Sequence, residues 1–402
     1  MDLVGKSLQT LSEADLQLLI SLSISENSKI EYKQQLPEKH NDAKHEFLKD
    51  ICAMVNGGGG DIVYGIGEDR KSGKPTSVFG IELKNWDSES RHWKQLIDNG
   101  IEPRIHGWDC RTIELTCGRV ALVLRLPQSI YGAHQVVAFD DYRFYKRVQA
   151  SRHVMTYLEI QTALLFADAN LKRARQLRDE RVSTLANNSG YQILHQGPIL
   201  ALHLIPIGFD NPERNRSLTE WSEYLELAGP PGLTGVDHRY TVDGIMTFKK
   251  RDYTSLGYLH LGRSGVIEAV STYIFRNPHN ERFWRIDPLE EGLIRSLDDY
   301  VNLLKKQNVQ LPVLLSATII NAQGYSLHFR SNTVIEDKLD KYIDRQILQL
   351  PEILIRDWQE TEPIAKFVKP LIEGIWNSCG WSTAASYEGN ERVPKDWIYC
   401  QD

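Results

Sequence analysis

Glu26, Glu31 and Lys33 carry the functional groups best suited to chemistry in this chain, and they fall within one short segment, ENSKIEYK. Glu31 and Lys33 alternate with Ile30 and Tyr32, so on an extended strand the carboxylate and the amine share a face, with Glu26 just before it. Hard divalent cations such as Mg2+ take oxygen ligands, often one or two carboxylates completed by water and substrate phosphate. An ammonium nearby can balance charge building on a phosphate or help place an attacking water. The group is a candidate for phosphodiester hydrolysis. The same alternation is also the pattern of a solvated strand face.

A second set of residues suits nucleic-acid binding. The segment Tyr142 to Arg147 (YRFYKR) interleaves cations with aromatics. As a strand it places Arg143, Tyr145 and Arg147 on one face and Phe144 and Lys146 on the other. Arg152 follows closely. Cations of this kind track a phosphate backbone with salt-sensitive affinity, and an exposed tyrosine can stack on an unpaired base. Lys172, Arg173, Arg175, Arg178 and Arg181 form a further basic stretch, LKRARQLRDER. Both segments also fit blander roles, as a core strand with solvated edges and as a charged connecting helix.

The elements that must position these groups can be read from periodicity. Residues 8–22 place Leu8, Leu11, Leu18, Leu19 and Leu22 at near-helical spacing, with Ser12 as N-cap and Asp15 three residues on, which predicts a short N-terminal docking helix. HEFLKDICAMVN predicts a helix with a core stripe of Phe47, Leu48, Ile51, Cys52 and Val55, ended by four glycines. DIVYGIG reads as one buried strand. A helix is predicted from Ser88 to Asn99, strands over 113–116, 120–126 and 143–147, and a long helix from Met155 toward Arg181. The glycines at 57–60 are not a phosphate loop, and Gly73-Lys74 runs into Pro75 rather than Ser or Thr, so nothing here supports nucleotide hydrolysis.

In this order, Glu26-x4-Glu31-x-Lys33, a helix ending at Asn56, a glycine run, DIVYGIG and the acidic turn Glu68-Asp69 resemble the Schlafen core, also called the AlbA-type Schlafen domain. Ala133-His134, the strand Arg143 to Arg147 and MTYLEI from Met155 extend the resemblance, which covers residues 23 to about 182. It implies a nucleic-acid-binding α/β domain. In nuclease members three acidic residues and a divalent metal, Mg2+ or Mn2+, cut RNA, tRNA included. Glu26 and Glu31 match the first two acids and Lys33 the accompanying lysine. Gly67 stands just after the Gly65-Ile66 pair, where the third acid is expected, which leaves Glu68 or Asp69 to supply it. The resemblance thus implies Glu26, Glu31, Glu68 and Asp69 as metal ligands, and a role in phage defence. Other members bind nucleic acid without cutting, so a transcription regulator using the same basic surface on DNA or RNA is the alternative. His134, where the family places a histidine, and His153 lack partners at metal spacing and stay outside the catalytic set.

The chain has 402 residues, 41% of them hydrophobic, enough for two domains. Its apolar runs fall short of a membrane helix and its first residues do not read as a signal peptide, so a cytoplasmic protein is expected. Cys52, Cys110, Cys117, Cys379 and Cys400 contain no CxxC pair and are expected to be reduced. Glu26 to Arg181 holds 24 lysines and arginines against 22 aspartates and glutamates, so the net charge of −6 comes from the rest of the chain. The fold class read here is α/β (α+β): a docking helix over 1–22, a mixed-sheet domain of Schlafen type over 23–160, a basic helical linker over 161–190 and a second mixed α/β domain over 191–402. That last domain carries no comparable motif, and its acidity suits contact with a regulatory partner or a second copy better than direct contact with nucleic acid.

Overall fold

The computed structural model describes residues 3, 6, 8–69, 71–83, 85–130, 132–212, 215–222, 228–276, 282–328 and 341–393. The chain forms two compact units, Met1–Ala169 and Asn170–Asp402. In the first, α1 (Glu13–Ser21) is capped as its sequence predicts, the Ser12 backbone N–H and side chain both donating to Asp15. The buried leucines are Leu8, Leu11, Leu16 and Leu19, whereas Leu22 is exposed. They join Ile30, Tyr32, Val63 and Val123 in one core, so the N-terminal segment is an integral layer of the first unit.

The central sheet of this unit has the order β1 (Ile30–Lys33), β2 (Gly60–Tyr64), β7 (Val120–Leu126), β6 (Asp109–Glu114), with β1 and β2 parallel and the remaining pairs antiparallel. One face packs on α1. The other, carrying Ile62, Tyr64, Leu122 and Leu124, packs on α2 (Asn41–Asn56) and α3 (Trp86–Gly100). Glu31 is paired with Ile62 and Lys33 with Tyr64, so both lie on the helix-covered face of the sheet, Glu31 buried and Lys33 partly exposed. Glycines take the chain from α2 into β2, and a Cβ on Gly60 would come within 2.4 Å of the Lys29 carbonyl. DIVYGIG is not one strand. Gly65, at φ +92°, breaks it, and β3 (Ile66–Asp69) instead pairs with β4 (Lys74–Val78) in a separate hairpin. The short strands β5 (Ile101–Glu102) and β8 (Gln135–Val136) pair with each other, and β9 (Tyr145–Val148) with β10 (Ser151–Val154) forms a hairpin packed on α2.

Helix α4 (Tyr157–Ala186) runs through the division between the units without interruption, where the sequence suggested a distinct linker ending near 190. Its basic stretch belongs to the second unit. That unit is built on a large sheet of order β12 (Asp237–Tyr240), β13 (Gly244–Arg251), β14 (Thr254–Gly262), β15 (Ile267–Ser271), β11 (Ile199–Pro206), β17 (Val313–Ile320), β19 (Ile347–Gln349), with β20 (Ile353–Ile355) also on β17. One face of the sheet packs on the amphipathic α6 (Ile286–Lys306) and α8 (Lys369–Ser378). The other packs on Val182 and Leu185 of α4. Shorter elements complete the unit: α5 (Leu218–Ser222), α7 (Ile364–Phe367) and the parallel pair β16 (Phe283–Arg285) with β18 (Ser326–His328). The mixed α/β, two-unit architecture is the one expected from sequence. No helix among the described residues is long and apolar enough to cross a membrane.

Candidate carboxylate site and its cationic surroundings

Glu31 enters the site from β1 and is almost fully buried, at 6% exposure. Its two oxygens are both taken: Lys33 Nζ lies 2.6 Å from Oε1 and Arg147 Nη1 lies 2.8 Å from Oε2. Lys33 also reaches Asp50 of α2 at 3.0 Å. Burial acts to lower the Lys33 pKa, but Asp50 and Glu31 together hold it above the ordinary lysine value, so the amine stays protonated. Burial, reinforced by Glu31, raises the Asp50 carboxyl, against the pull of Lys33 and Arg152. The alternating charges of β1 are thus a buried ion network rather than a solvated face.

Glu26 sits beside this network. Its Oε1 accepts the Tyr32 backbone N–H at 2.8 Å, and Arg147 Nη2 lies 3.8 Å from Oε2. Burial, with the negative charges of Glu68 and Glu31, pushes the Glu26 carboxyl up to about 7 in spite of those donors. Glu68 arrives from β3, turned toward Glu26 by the break at Gly65 and the β3–β4 hairpin, whose Gly73 carbonyl accepts the Glu26 N–H at 2.8 Å. The Glu68 Oε2 atom is buried without a hydrogen-bond partner. Gly67 cannot carry an acid in place of Glu68 without rearrangement, since a Cβ there would lie 2.8 Å from the Phe79 ring.

The expected ligand set therefore does not assemble in full. Glu26, Glu31 and Glu68 are neighbours, whereas Asp69 points away and closes its own turn, accepting from the Ser72 hydroxyl at 2.7 Å and the Lys71 N–H at 3.2 Å. Among the described residues no three His, Cys, Asp or Glu side chains form a ready metal group. The Arg147 guanidinium lies 2.8 Å from Glu31 and 3.8 Å from Glu26, an internal cation shared by the two carboxyl groups. Among the described residues, Glu68, whose Oε2 has no hydrogen-bond partner, and Glu26, whose Oε2 meets only Arg147 at 3.8 Å, remain. An orphaned buried oxygen beside a carboxyl held near neutrality fits a Mg2+ or Mn2+ ion that completes its shell with water and phosphate.

The cations assigned to nucleic acid are largely engaged inside the protein. The parity of the β9 strand is as read, but the face bearing Tyr145 and Arg147 is the core face: they are 6% and 5% exposed. Tyr145 donates to Asp141 at 2.8 Å and so is not a stacking platform. Arg147 also donates to the Asn27 carbonyl at 2.8 Å. Arg152 bridges Glu46 and Asp50 across to α2. Lys146 lies 3.5 Å from Glu159, and Arg143 alone of this group is well exposed. In the second unit Arg175 donates to Glu352 from Nε at 2.9 Å, and Lys172 is exposed. Sequence reasoning missed Asp50, whose four-residue spacing from Glu46 along one flank of α2 was the available signal. It also missed Lys71 and Lys74, which are exposed on the β3–β4 hairpin that contacts Glu26 and make no ion pair at contact distance among the described residues. His134 is a core residue: its Nδ1 meets the Pro103 carbonyl at 2.6 Å, and burial pushes its pKa down to about 4.

A family model described as Schlafen, AlbA_2 matches residues 26–156, the segment that supplies every carboxylate and cation of this site. No curated protein matches the chain. Among solved structures, the DIP2311 protein from Corynebacterium diphtheriae is similar at 15% identity and a TM-score of 0.25, over 36% of this chain and 29% of its own. The chain thus spans under a third of that protein's length. Residues 26–156 are a Schlafen core domain of the AlbA_2 type, and the function of this unit is related to nucleic acid.

Proposed function

We propose that the first unit is a divalent-metal-dependent RNA endonuclease in which Glu26 and Glu68 hold Mg2+ or Mn2+. The observation that carries this reading is the unpartnered, buried Glu68 Oε2 beside a Glu26 carboxyl raised to about 7, an arrangement relieved by a cation. A bound metal would supply Lewis-acid stabilisation of the phosphate and a more acidic water. Lys33, protonated and 37% exposed at its side chain, is placed to balance charge on the scissile phosphate. Arg147 fixes Glu31 and thereby Lys33. Lys71 and Lys74 beside Glu26 would track the substrate backbone, together with Arg143. The Schlafen resemblance supports RNA, with tRNA as the first candidate, as the proposed substrate, and a proposed role in phage defence.

The alternative, a regulator that binds DNA or RNA without cutting, is favoured by one feature: the Arg147 guanidinium already neutralises the carboxylates. Incubating the protein with total tRNA and with single-stranded DNA, with and without Mn2+, beside Glu26→Gln, separates the two. Cleavage that needs Mn2+ and Glu26 supports the nuclease. Salt-sensitive binding with intact strands in Mn2+ supports the regulator.

A further inference from the structure

Between β8 and β9 the chain makes a loop, residues 137–142, closed where the Val136 N–H donates to the Arg143 carbonyl at 2.9 Å. Three of its residues take positive φ: Phe139 at +59°, Asp140 at +53° and Tyr142 at +52°. An aspartate enters this region at modest cost, whereas a bulky aromatic residue does so only under constraint. Among the described residues the other positive-φ positions outside glycine are Ser, Gln, Asn and Asp, so both aromatic ones fall in this loop.

Little packing is gained in return for the strain. Tyr142 is 61% exposed and makes no hydrogen bond or ring contact among the described residues. Phe139 rests on His45, with ring centroids 5.3 Å apart, and is still 40% exposed. A single exposed ring needs no explanation, but two on left-handed backbone point to a role outside the core. In YRFYKR the ring open to solvent is thus Tyr142 rather than Tyr145.

Asp141 holds the loop in this form. Its carboxylate, 3% exposed, gathers the His45 imidazole at 2.7 Å, the Tyr145 hydroxyl at 2.8 Å and the Arg143 guanidinium at 3.6 Å. The Tyr142 ring is therefore presented on an ordered backbone, which lessens the entropy lost on binding. The same contacts lead to the carboxylate site. The Arg152 guanidinium lies over the Tyr145 ring, 5.5 Å from its centroid, and pairs with Asp50, which in turn pairs with Lys33.

The neighbouring charges indicate the partner. Arg143, beside Tyr142, is 64% exposed at its side chain and can meet a phosphate adjoining a stacked base. Asp140, exposed between the two rings, keeps that phosphate on the Arg143 side. Two rings separated by charged residues fall far short of the roughly 800 Å² that each partner buries in a stable protein interface. An unpaired base needs only one ring face.

We infer that loop 137–142 is a base-stacking platform for single-stranded nucleic acid, with Tyr142 as the stacking ring and Arg143 on the adjoining phosphate. This rests on the nucleic-acid function of the first unit but not on metal binding or cleavage, so the test is made in EDTA. Fluorescence anisotropy of the full chain measures affinity for a single-stranded RNA of about ten nucleotides, for its DNA counterpart and for an abasic strand of the same length. Tyr142→Leu is expected to weaken binding of the base-bearing strands by about fivefold or more, with no change for the abasic strand, in the salt dependence or in the melting temperature. Tyr142→Phe should bind as the wild type does. Arg143→Ala should instead reduce the slope of log binding constant against log salt by about 1. An affinity of Tyr142→Leu within about twofold of wild type, or an equal loss on the abasic strand, would overturn the inference and leave a nucleic-acid role standing. Failure of the wild type to bind either base-bearing strand would overturn both.

Discussion

Arg147→Met removes the internal cation of the first unit at nearly constant volume. The guanidinium is 5% exposed, lies 2.8 Å from Glu31 Oε2 and donates to the Asn27 carbonyl. At an effective dielectric of about 20 a pair at this separation attracts by on the order of 4–6 kcal/mol, much of which offsets the desolvation of both ions. Removing one partner of a buried pair leaves the other uncompensated and costs about 3–5 kcal/mol. Lys33 stays beside Glu31, which places the expected loss toward the lower end, about 3 kcal/mol. In a unit of this size that lowers the melting temperature by roughly 6–12 °C. Urea denaturation of wild type, Arg147→Met, Glu31→Gln and the double variant completes a cycle. A coupling of about 2 kcal/mol is expected, because the neutral amide introduced by Glu31→Gln no longer needs the guanidinium. Strict additivity, or a cost below about 1 kcal/mol for Arg147→Met, would refute the view that Arg147 serves Glu31 rather than a nucleic acid.

Three further outcomes follow from particular contacts. The folded-state pKa of Glu26, about 7, lies above its ordinary value of 4.5, so the folded state holds this proton more tightly. Its contribution to stability is present below about pH 4.5 and is lost as pH rises through about 7; Glu26→Gln should flatten the slope of unfolding free energy over that window. Lys71→Ala and Lys74→Ala should each reduce the slope of log binding constant against log salt by about 1 for RNA, measured by fluorescence anisotropy, without changing the melting temperature. In the second unit, Arg181→Met leaves Glu268 buried on two weaker donors, and a loss of about 3–5 kcal/mol in denaturant unfolding is expected.

Much of the scaffold was legible because local patterns and tertiary packing agree. The capping pair Ser12–Asp15, the Phe47–Val55 stripe and the parity of β9 are all properties of periodicity. What periodicity does not encode is which face of a strand is covered. Glu31 and Lys33 alternate as a solvated face would, yet α2 and the β9–β10 hairpin close over them, and Tyr145 and Arg147 turn inward for the same reason. The break at Gly65 was hidden inside an apolar run, and with it the choice between Glu68 and Asp69. Asp50 joined the site through a helix-to-strand contact that no motif marks.

In the proposed nuclease, Glu68 rather than Asp69 completes a metal site with Glu26. The most direct test is single-turnover cleavage of tRNA in Mn2+ by wild type, Glu68→Gln and Asp69→Asn. Metal-dependent cleavage that Glu68→Gln abolishes and Asp69→Asn retains is expected. Loss of cleavage in Asp69→Asn with retention in Glu68→Gln, or no Mn2+-dependent cleavage by the wild type, would contradict it.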